Sequence, residues 1–301
     1  MSSFKLLTTG NPKIIKGQKQ GYLTFILHLA PSRLSGYQTC PLATRGCASA
    51  CLNTAGRGGM IKLGETTNII QQARIRKTRW FFENRPSFLA TLVSEIESAV
   101  KYADSHNLIP AFRLNGTSDI RWETVPVTRN GQSYPHVFAA FSTVQFYDYT
   151  KLPNRRTAHI RNYHLTFSLA DGNDADAQTA LSSGVSVAVV FRRGPAKVKV
   201  EKSYEQKLAA KLERDAARQR RSDRPRTKRA YRPRVLDMSW LPQLFMGYTV
   251  VNGDASDLRF LDVPVRWYHR LFGRSPAPVI VGLKAKGQAM FDTTGFVRET
   301  M

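Results

Sequence analysis

All three cysteines of this 301-residue chain lie in one short stretch. Cys40, Cys47 and Cys51 are spaced C-x6-C-x3-C, and the surrounding residues 36–59 include a proline and several glycines. Such residues are typical of loops in which the backbone can approach a ligand closely. We therefore expect the three thiols to converge on one point.

Three thiols without a fourth cysteine suit few metal groups. A structural zinc ion normally takes four protein ligands, and no histidine lies between His28 and His106. A 4Fe-4S cluster is ligated by cysteine thiolates, and three of them leave the fourth iron open to a substrate or cofactor. The pattern favours a cluster on the three cysteines. It leaves open zinc with a distant histidine, or three thiols that only pack.

Two segments of similar sequence each follow a β-like run. They are NGTSDIR at 115–121 and NGDASDLR at 252–259. Asn-Gly favours a turn with positive φ, and the aspartate that follows can accept hydrogen bonds from an amine or hydroxyl of a ligand. The alternative is that both segments are turns that only end strands. The candidate cofactor-binding residues are Asn115, Gly116, Ser118, Asp119, Asn252, Asp254 and Asp257.

The segment YDYTK at 147–151 ends another β-like run. A tyrosine or aspartate at such a position can transfer protons, and a lysine can hold an anion. Tyr147, Asp148 and Lys151 are therefore candidate catalytic residues, although an ordinary strand end would look the same. The sequence has no Walker A, G-x-S-x-G, H-E-x-x-H or G-x-G-x-x-G motif, which removes several enzyme classes.

Apolar runs indicate the strands and helices that hold these residues. About seven β-like runs alternate with helical patterns or long connections, and the first of them, 24–30, leads directly into the cysteine loop. Helices are predicted over 65–82 and 87–103, the second with a clear apolar stripe. The alternation predicts an α/β fold whose parallel sheet is open or closes into a partial barrel. Function is then expected at the carboxyl ends of the strands.

The chain is strongly basic, and its charge is unevenly distributed along the sequence. Lys and Arg number 45 against 22 Asp and Glu, a formal net charge of +23. Residues 192–234 contribute 17 basic and 5 acidic side chains, a net +12. We interpret them as an arm, partly helical over 199–221 or disordered, inserted into a single domain formed by residues 1–191 and 235–301.

Such a charge favours a polyanionic partner, and nucleic acid, either DNA or RNA, fits it best. The alternative is a solubilising charge run with no particular partner. The candidate nucleic-acid contacts are Arg218, Arg220, Arg221, Arg224, Arg226, Lys228, Arg229, Arg232 and Arg234.

The sequence also bears on compartment. No apolar run approaches the roughly 18 residues of a membrane span, and the N-terminal residues lack the apolar core of a signal peptide. An odd number of clustered cysteines argues against a disulfide framework and for a reducing cytosol. We expect a cytoplasmic protein that does not contact a membrane.

One series of motifs covers most of the chain outside the basic arm. In order, it reads LAPSRLSGYQTCPLATRGCASACLNTAGRG, RLNGTSDIRWE, FYDYTK, LTFSLA, VNGDASDLRFLD and VGLKAKG. The order and spacing resemble the bacteriophage gene product eighty-eight family. That family is in turn similar to radical S-adenosylmethionine (SAM) proteins. Their partial (β/α)6-type barrels carry three cysteines after the first strand and a Gly-rich cofactor-binding turn after the second.

The resemblance implies a 4Fe-4S cluster on the three cysteines, with Asn115, Gly116, Ser118 and Asp119 in the place of the SAM-binding turn. The chain departs from the radical SAM pattern in two places: C-x6-C-x3-C replaces C-x3-C-x2-C, and NGTSD replaces a Gly-Gly-Glu run. The basic arm has no counterpart in the family pattern.

The resulting hypothesis is a phage-encoded iron-sulfur protein of the host cytoplasm that acts on or binds nucleic acid, with radical-SAM-like catalysis as its enzymatic form. Two rivals stay open. One is a non-catalytic DNA- or RNA-binding protein with a structural cluster or zinc ion, and the other is a phage protein that binds a host factor. The sequence specifies neither a substrate nor an oligomeric state.

Overall fold

The computed structural model describes residues 5–10, 12–199, 203–222, 237–263 and 277–300. In these ranges a central sheet contains seven strands that run parallel to their neighbours in one continuous series. They are β2 (Tyr22–Leu27), β3 (Ile109–Arg113), β6 (Gln145–Thr150), β7 (Tyr163–Ser168), β8 (Val187–Arg193), β10 (Tyr248–Asn252) and β11 (Ile280–Lys284).

Shorter strands extend this sheet. The order across it is β1-β2-β3-β6-β7-β8-β11-β10-β9, with β1 (Leu7–Thr8) and β9 (Leu244–Phe245) antiparallel at the edges. β12 (Val297–Thr300) pairs with β8 beyond the point where β7 ends. A separate hairpin joins β4 (Val127–Arg129) to β5 (Gln132–Tyr134). The prediction of an α/β fold with a mostly parallel sheet is confirmed.

Helices fill the connections. They are α1 (Pro12–Gln18), α2 (Arg45–Ser49), α3 (Ile69–Glu83), α4 (Arg85–Asp104), α5 (Val137–Ala140), α6 (Asp174–Ser182) and α7 (Tyr204–Ser222). Asn84 ends α3 and caps α4, because its side chain accepts a hydrogen bond from the backbone N–H of Ser87. No helix within the described ranges combines the length and the apolar composition needed to cross a membrane.

One face of the sheet is apolar. Phe25, Phe112 and Phe146 occupy matching positions on β2, β3 and β6, with successive ring centroids 5.2 and 5.5 Å apart. The predicted stripe of α4 is buried in the same core cluster, with Phe88 and Leu92 inaccessible to solvent. Burying apolar surface stabilises a fold by about 25 cal/mol per Å2. This contact is therefore the main stabilising layer of the fold.

The opposite face of the sheet, here called the polar face, carries Thr24, Arg113 and Tyr147. Strand residues alternate between faces, so these side chains lie opposite the phenylalanine layer. The hydroxyl of Tyr147 lies 3.3 Å from that of Thr24, although β3 separates their two strands. Residues 252–262, which follow β10, cover this face through an ion pair between Arg113 and Asp257 of 2.9 Å.

Candidate functional site

Cys40 lies on the loop that leaves the carboxyl end of β2. The preceding residue, Thr39, donates a 2.6 Å hydrogen bond to the carbonyl of Ala30, and its own carbonyl accepts one of 2.8 Å from the N–H of Asp119. The thiol of Cys40 lies 3.8 Å from the carbonyl oxygen of Thr117. The turn after β3 therefore supports the first cysteine.

Cys47 lies on α2, a helix of five residues. The hydroxyl of Thr44 accepts a 3.1 Å hydrogen bond from the N–H of Cys47, and Asp171, which follows β7, accepts hydrogen bonds from Thr44 and from the N–H of Gly46. Burial opposes ionisation of Asp171, but these hydrogen bonds outweigh it and lower the pKa of the carboxyl. The end of β7 thus fixes the second cysteine.

Cys51 begins a tight turn that packs on α3. Its sulfur accepts a hydrogen bond from the N–H of Asn53. Farther along the turn, the side-chain amide of Asn68 donates to three backbone carbonyls between residues 57 and 60. Gly59 is needed there, because a Cβ atom at this position would lie 2.0 Å from the carbonyl oxygen of Thr54. The N-cap of α3 therefore fixes the end of the turn that Cys51 begins.

The three thiols are free and partly buried. They lie close enough for Cys40 and Cys47 to influence the ionisation of Cys51. Burial raises the pKa of Cys51 to about 11, and the nearby Lys151 opposes this rise. As placed, no group of three or more His, Cys, Asp or Glu side chains in the described ranges is arranged to hold a metal ion. A group ligated by all three sulfurs would therefore have to draw them together.

The alternative of zinc with a distant histidine directs attention to His28, the residue after β2. Burial, followed by the charge of Arg74, lowers the pKa of His28 to about 3, so its imidazole is neutral. Its Nδ1 atom lies 3.5 Å from the hydroxyl of Thr8.

The first Asn-Gly segment forms a turn whose polar groups bond within the protein. The side-chain oxygen of Asn115 accepts hydrogen bonds from Ser118, from the N–H of Ile120 and from the indole of Trp122, while its amide donates to the carbonyl of Ile120. Gly116 is packed against β2, where a Cβ atom would lie 2.7 Å from a carbonyl oxygen. This turn is a rigid support beneath Cys40.

Asp119, at the end of this turn, accepts a 2.8 Å hydrogen bond from the N–H of Lys151 and forms an ion pair of 3.3 Å with Arg155. Arg155 also pairs with Glu123. Burial favours neutral Asp119, and the net effect of its surroundings is a raised pKa despite these partners. Both partners of Arg155 are far from it in sequence, so no local sequence pattern indicates that Arg155 belongs to this site.

The second Asn-Gly segment repeats this arrangement beside β11. Its glycine donates a backbone hydrogen bond of 2.9 Å to the neighbouring strand, and Gly116 makes the corresponding bond of 3.0 Å to β2. Asn252 accepts from the N–H of Asp254, and Asp254 accepts from the N–H of Lys284 and from the ammonium of Lys286. The sequence repeat is therefore a repeated way of ending a strand.

The candidate catalytic residues lie in three different places. Tyr147 is fully buried on the polar face, where its hydroxyl donates to Asp257 over 3.3 Å. Asp148 is buried on the opposite face; it accepts a 2.7 Å hydrogen bond from the N–H of Asn115, and burial raises its pKa to about 7. Lys151 lies beyond the strand end, and its ammonium donates to the hydroxyl of Ser168 over 3.2 Å.

Of the predicted nucleic-acid contacts, only the first lies within residues whose side chains the structure describes. Arg218 is an exposed residue of α7, whose described side chains are all exposed except half-buried Ala210. For Arg220 and Arg221 only the helical backbone is described. The rest lie outside the described residues, namely Arg224, Arg226, Lys228, Arg229, Arg232 and Arg234.

Fold and site together define an α/β protein that carries a cysteine loop at the carboxyl edge of a mostly parallel sheet. A family model described as gene product 88 matches residues 5–299. The chain belongs to the gene product 88 family, which confirms the family that the order of its motifs indicated. No significant similarity to a curated protein or to a solved structure was found.

Proposed function

We propose that this protein is an iron-sulfur protein, in which Cys40, Cys47 and Cys51 hold a 4Fe-4S cluster, and that it acts on or binds nucleic acid. The proposal rests on the observation that the three cysteines are supported by three different elements of the fold. The turn after β3 contacts Cys40, the end of β7 holds the start of the helix that carries Cys47, and α3 holds Asn53, whose N–H faces the sulfur of Cys51. Separate elements thus bring the thiols to one edge of the sheet.

The donor set fits a group that is ligated by three thiolates. The thiols influence one another electrostatically, and two cations, Lys151 and Arg74, interact with Cys51. Positive side chains nearby offset the negative charge that three thiolates bring to a partly buried site. Because the sulfurs must move to share one group, binding is expected to change the conformation of the loop 36–59.

A bound cluster with one open iron can supply an electron to a cofactor such as SAM, which is the radical-SAM-like form of the proposal. The residues of this chain would then bind and orient the ligand. Lys151 and Ser168 present an ammonium and a hydroxyl beside the cysteine loop, and an ammonium can bind the carboxylate or phosphate of a ligand. The same proposal includes a sheet that forms a partial (β/α)6-type barrel, as in radical SAM proteins.

Metal analysis tests the proposal directly. Protein purified without oxygen should be brown and contain about four irons per chain, and serine in place of any one cysteine should lower the iron content. Ser49→Ala is a matched control in the same helix. Colourless protein with one zinc ion would favour the structural-zinc rival, and protein without metal would overturn the proposal. Formation of 5'-deoxyadenosine from SAM after reduction would support the enzymatic form.

A non-catalytic nucleic-acid-binding protein is the second candidate, and the exposure of α7 favours it. A solvent-exposed basic helix can follow a phosphate backbone without disturbing the core. Deleting residues 199–234, which form most of the basic arm, should weaken binding of DNA or RNA and make its affinity less sensitive to salt. Unchanged affinity and salt dependence would show that the arm is not the binding surface.

A further inference from the structure

A chain of hydrogen bonds links α3 to the sulfur of Cys51. The guanidinium of Arg74 donates to the side-chain oxygen of Asn53 over 2.7 Å. The N–H of the same asparagine points at the sulfur, 3.5 Å away. Asn53 is 4% exposed, so the link lies inside the protein. Cys51 thereby receives a directed N–H group that is oriented from the next helix.

A second contact from α3 reinforces this link. The amide of Gln71 donates to the carbonyl of Asn53 and, over 2.8 Å, to that of Gly58. Gln71 and Arg74 are three positions apart, so they project from the same side of α3. Neither contact is available to Cys40 or Cys47, whose supports come from other elements.

Arg74 also contributes charge. Its guanidinium bonds to Asn53, whose N–H faces the sulfur of Cys51, and the cation and this cysteine interact electrostatically. Proteins adjust the affinity and reduction potential of thiolate-bound metal groups through N–H groups directed at the sulfur and through nearby charge. One side chain here supplies the charge and orients the N–H.

We propose that Arg74 is the positioning residue of the cysteine site. It holds Asn53 so that the N–H of that residue faces the sulfur of Cys51, and its guanidinium balances the negative charge that this sulfur carries when a metal is bound. The metal-dependent part of this inference rests on the function proposed above. The positioning part concerns the chain alone.

Titration with Co2+ under anaerobic, reducing conditions tests both the charge and the hydrogen bond. Loss of such an outer partner typically weakens metal affinity by about 10–100-fold. Arg74→Gln should lower Co2+ affinity by at least about tenfold, and Arg74→Lys, which keeps the charge, should recover part of the loss. Arg76→Gln, an exposed arginine of the same helix, is the control and should bind like the unaltered protein.

Hydrogen exchange of the metal-free protein provides the second readout. Arg74→Gln should speed exchange of backbone amides in residues 51–60 and leave residues 40–47 unchanged. Exchange that rises in both segments, or affinity and exchange equal to those of Arg76→Gln, would overturn the inference. If the unaltered protein binds no Co2+ and contains no iron when purified without oxygen, the proposed metal function fails, while the exchange result still decides whether Arg74 positions Cys51.

Discussion

Replacing Gly46 by alanine tests how tightly the second cysteine is fixed. The added methyl group would lie 2.0 Å from the hydroxyl of Thr294, 2.6 Å from the carboxylate of Asp171 and 2.7 Å from the Cβ atom of Phe296. The hydroxyl can rotate away, but the Cβ atom of Phe296 is attached directly to the backbone. Either α2 or the chain before β12 must therefore move.

The energetic cost follows from three contributions. Overpacking costs about 1–3 kcal/mol, and displacement of Gly46 from Asp171 weakens a hydrogen bond to a charged group, worth about 1.5–3 kcal/mol. Alanine recovers about 1 kcal/mol through its higher helix propensity. We expect Gly46→Ala to lower the free energy of unfolding by about 1.5–5 kcal/mol, the sum of these effects.

Unfolding in urea measures this change, with Gly10→Ala as the matched control. No atom lies within 4 Å of the position that a Cβ at Gly10 would take, so the control should change stability by less than about 0.5 kcal/mol. Gly46→Ala should also bind less iron than the unaltered protein, because α2 carries Cys47. If Gly46→Ala unfolds at the same urea concentration as the control, the packing of α2 against the end of β7 is not as described.

Three further changes test the buried polar groups. Thr166→Val should raise stability by about 1 kcal/mol, because its hydroxyl is buried without a hydrogen-bond partner in the described ranges. Thr179→Val, at an exposed position of α6, is the control. A loss of stability in Thr166→Val would contradict the reasoning. Burial raises the pKa of Asp148 from 3.8 to about 7, so the folded state holds a proton that the unfolded state releases. Stability from this carboxyl should therefore fall as pH rises between these two values and be flat above them. Asp148→Asn should remove that slope in unfolding measurements, and an unchanged slope would refute the assignment. Asn115→Ala should cost about 2–4 kcal/mol by leaving buried donors unpaired, measured by urea unfolding; a cost below about 0.5 kcal/mol, typical of surface changes, would show that the turn does not depend on Asn115.

The sheet was predictable because its strands are continuous apolar runs. The run predicted over 24–30 is β2, displaced by two or three residues, and β8 is likewise a nearly continuous apolar strand. Their apolar side chains serve both faces of a covered parallel sheet, which is the pattern that identifies such strands. The helices predicted over 65–82 and 87–103 correspond to α3 and α4, because apolar residues recur in both at helical spacing.

The site was less predictable, because its contacts join residues far apart in sequence. Asp171 and Thr44 are 127 positions apart, and Arg113 and Asp257 are 144 apart. No periodicity encodes such pairs. Alternation along β6 also separates Tyr147 from Asp148, which the adjacent letters of YDYTK do not show.

The repeated Asn-Gly segments narrow the search for residues that contact a ligand. Each segment ends in an aspartate paired with an arginine from another element, Asp119 with Arg155 and Asp257 with Arg113. A ligand that bound these carboxylates would have to break a buried ion pair, and removal of one partner from such a pair costs about 3–5 kcal/mol.

Lys151 offers an alternative at lower cost. Its contact with Ser168 is a hydrogen bond between partly buried groups, which an incoming ligand oxygen can replace at roughly equal energy. Binding at this edge therefore favours the ammonium of Lys151 over the carboxylates of the two turns. The turns would contribute chiefly by holding the cysteine loop and residues 252–262 in place.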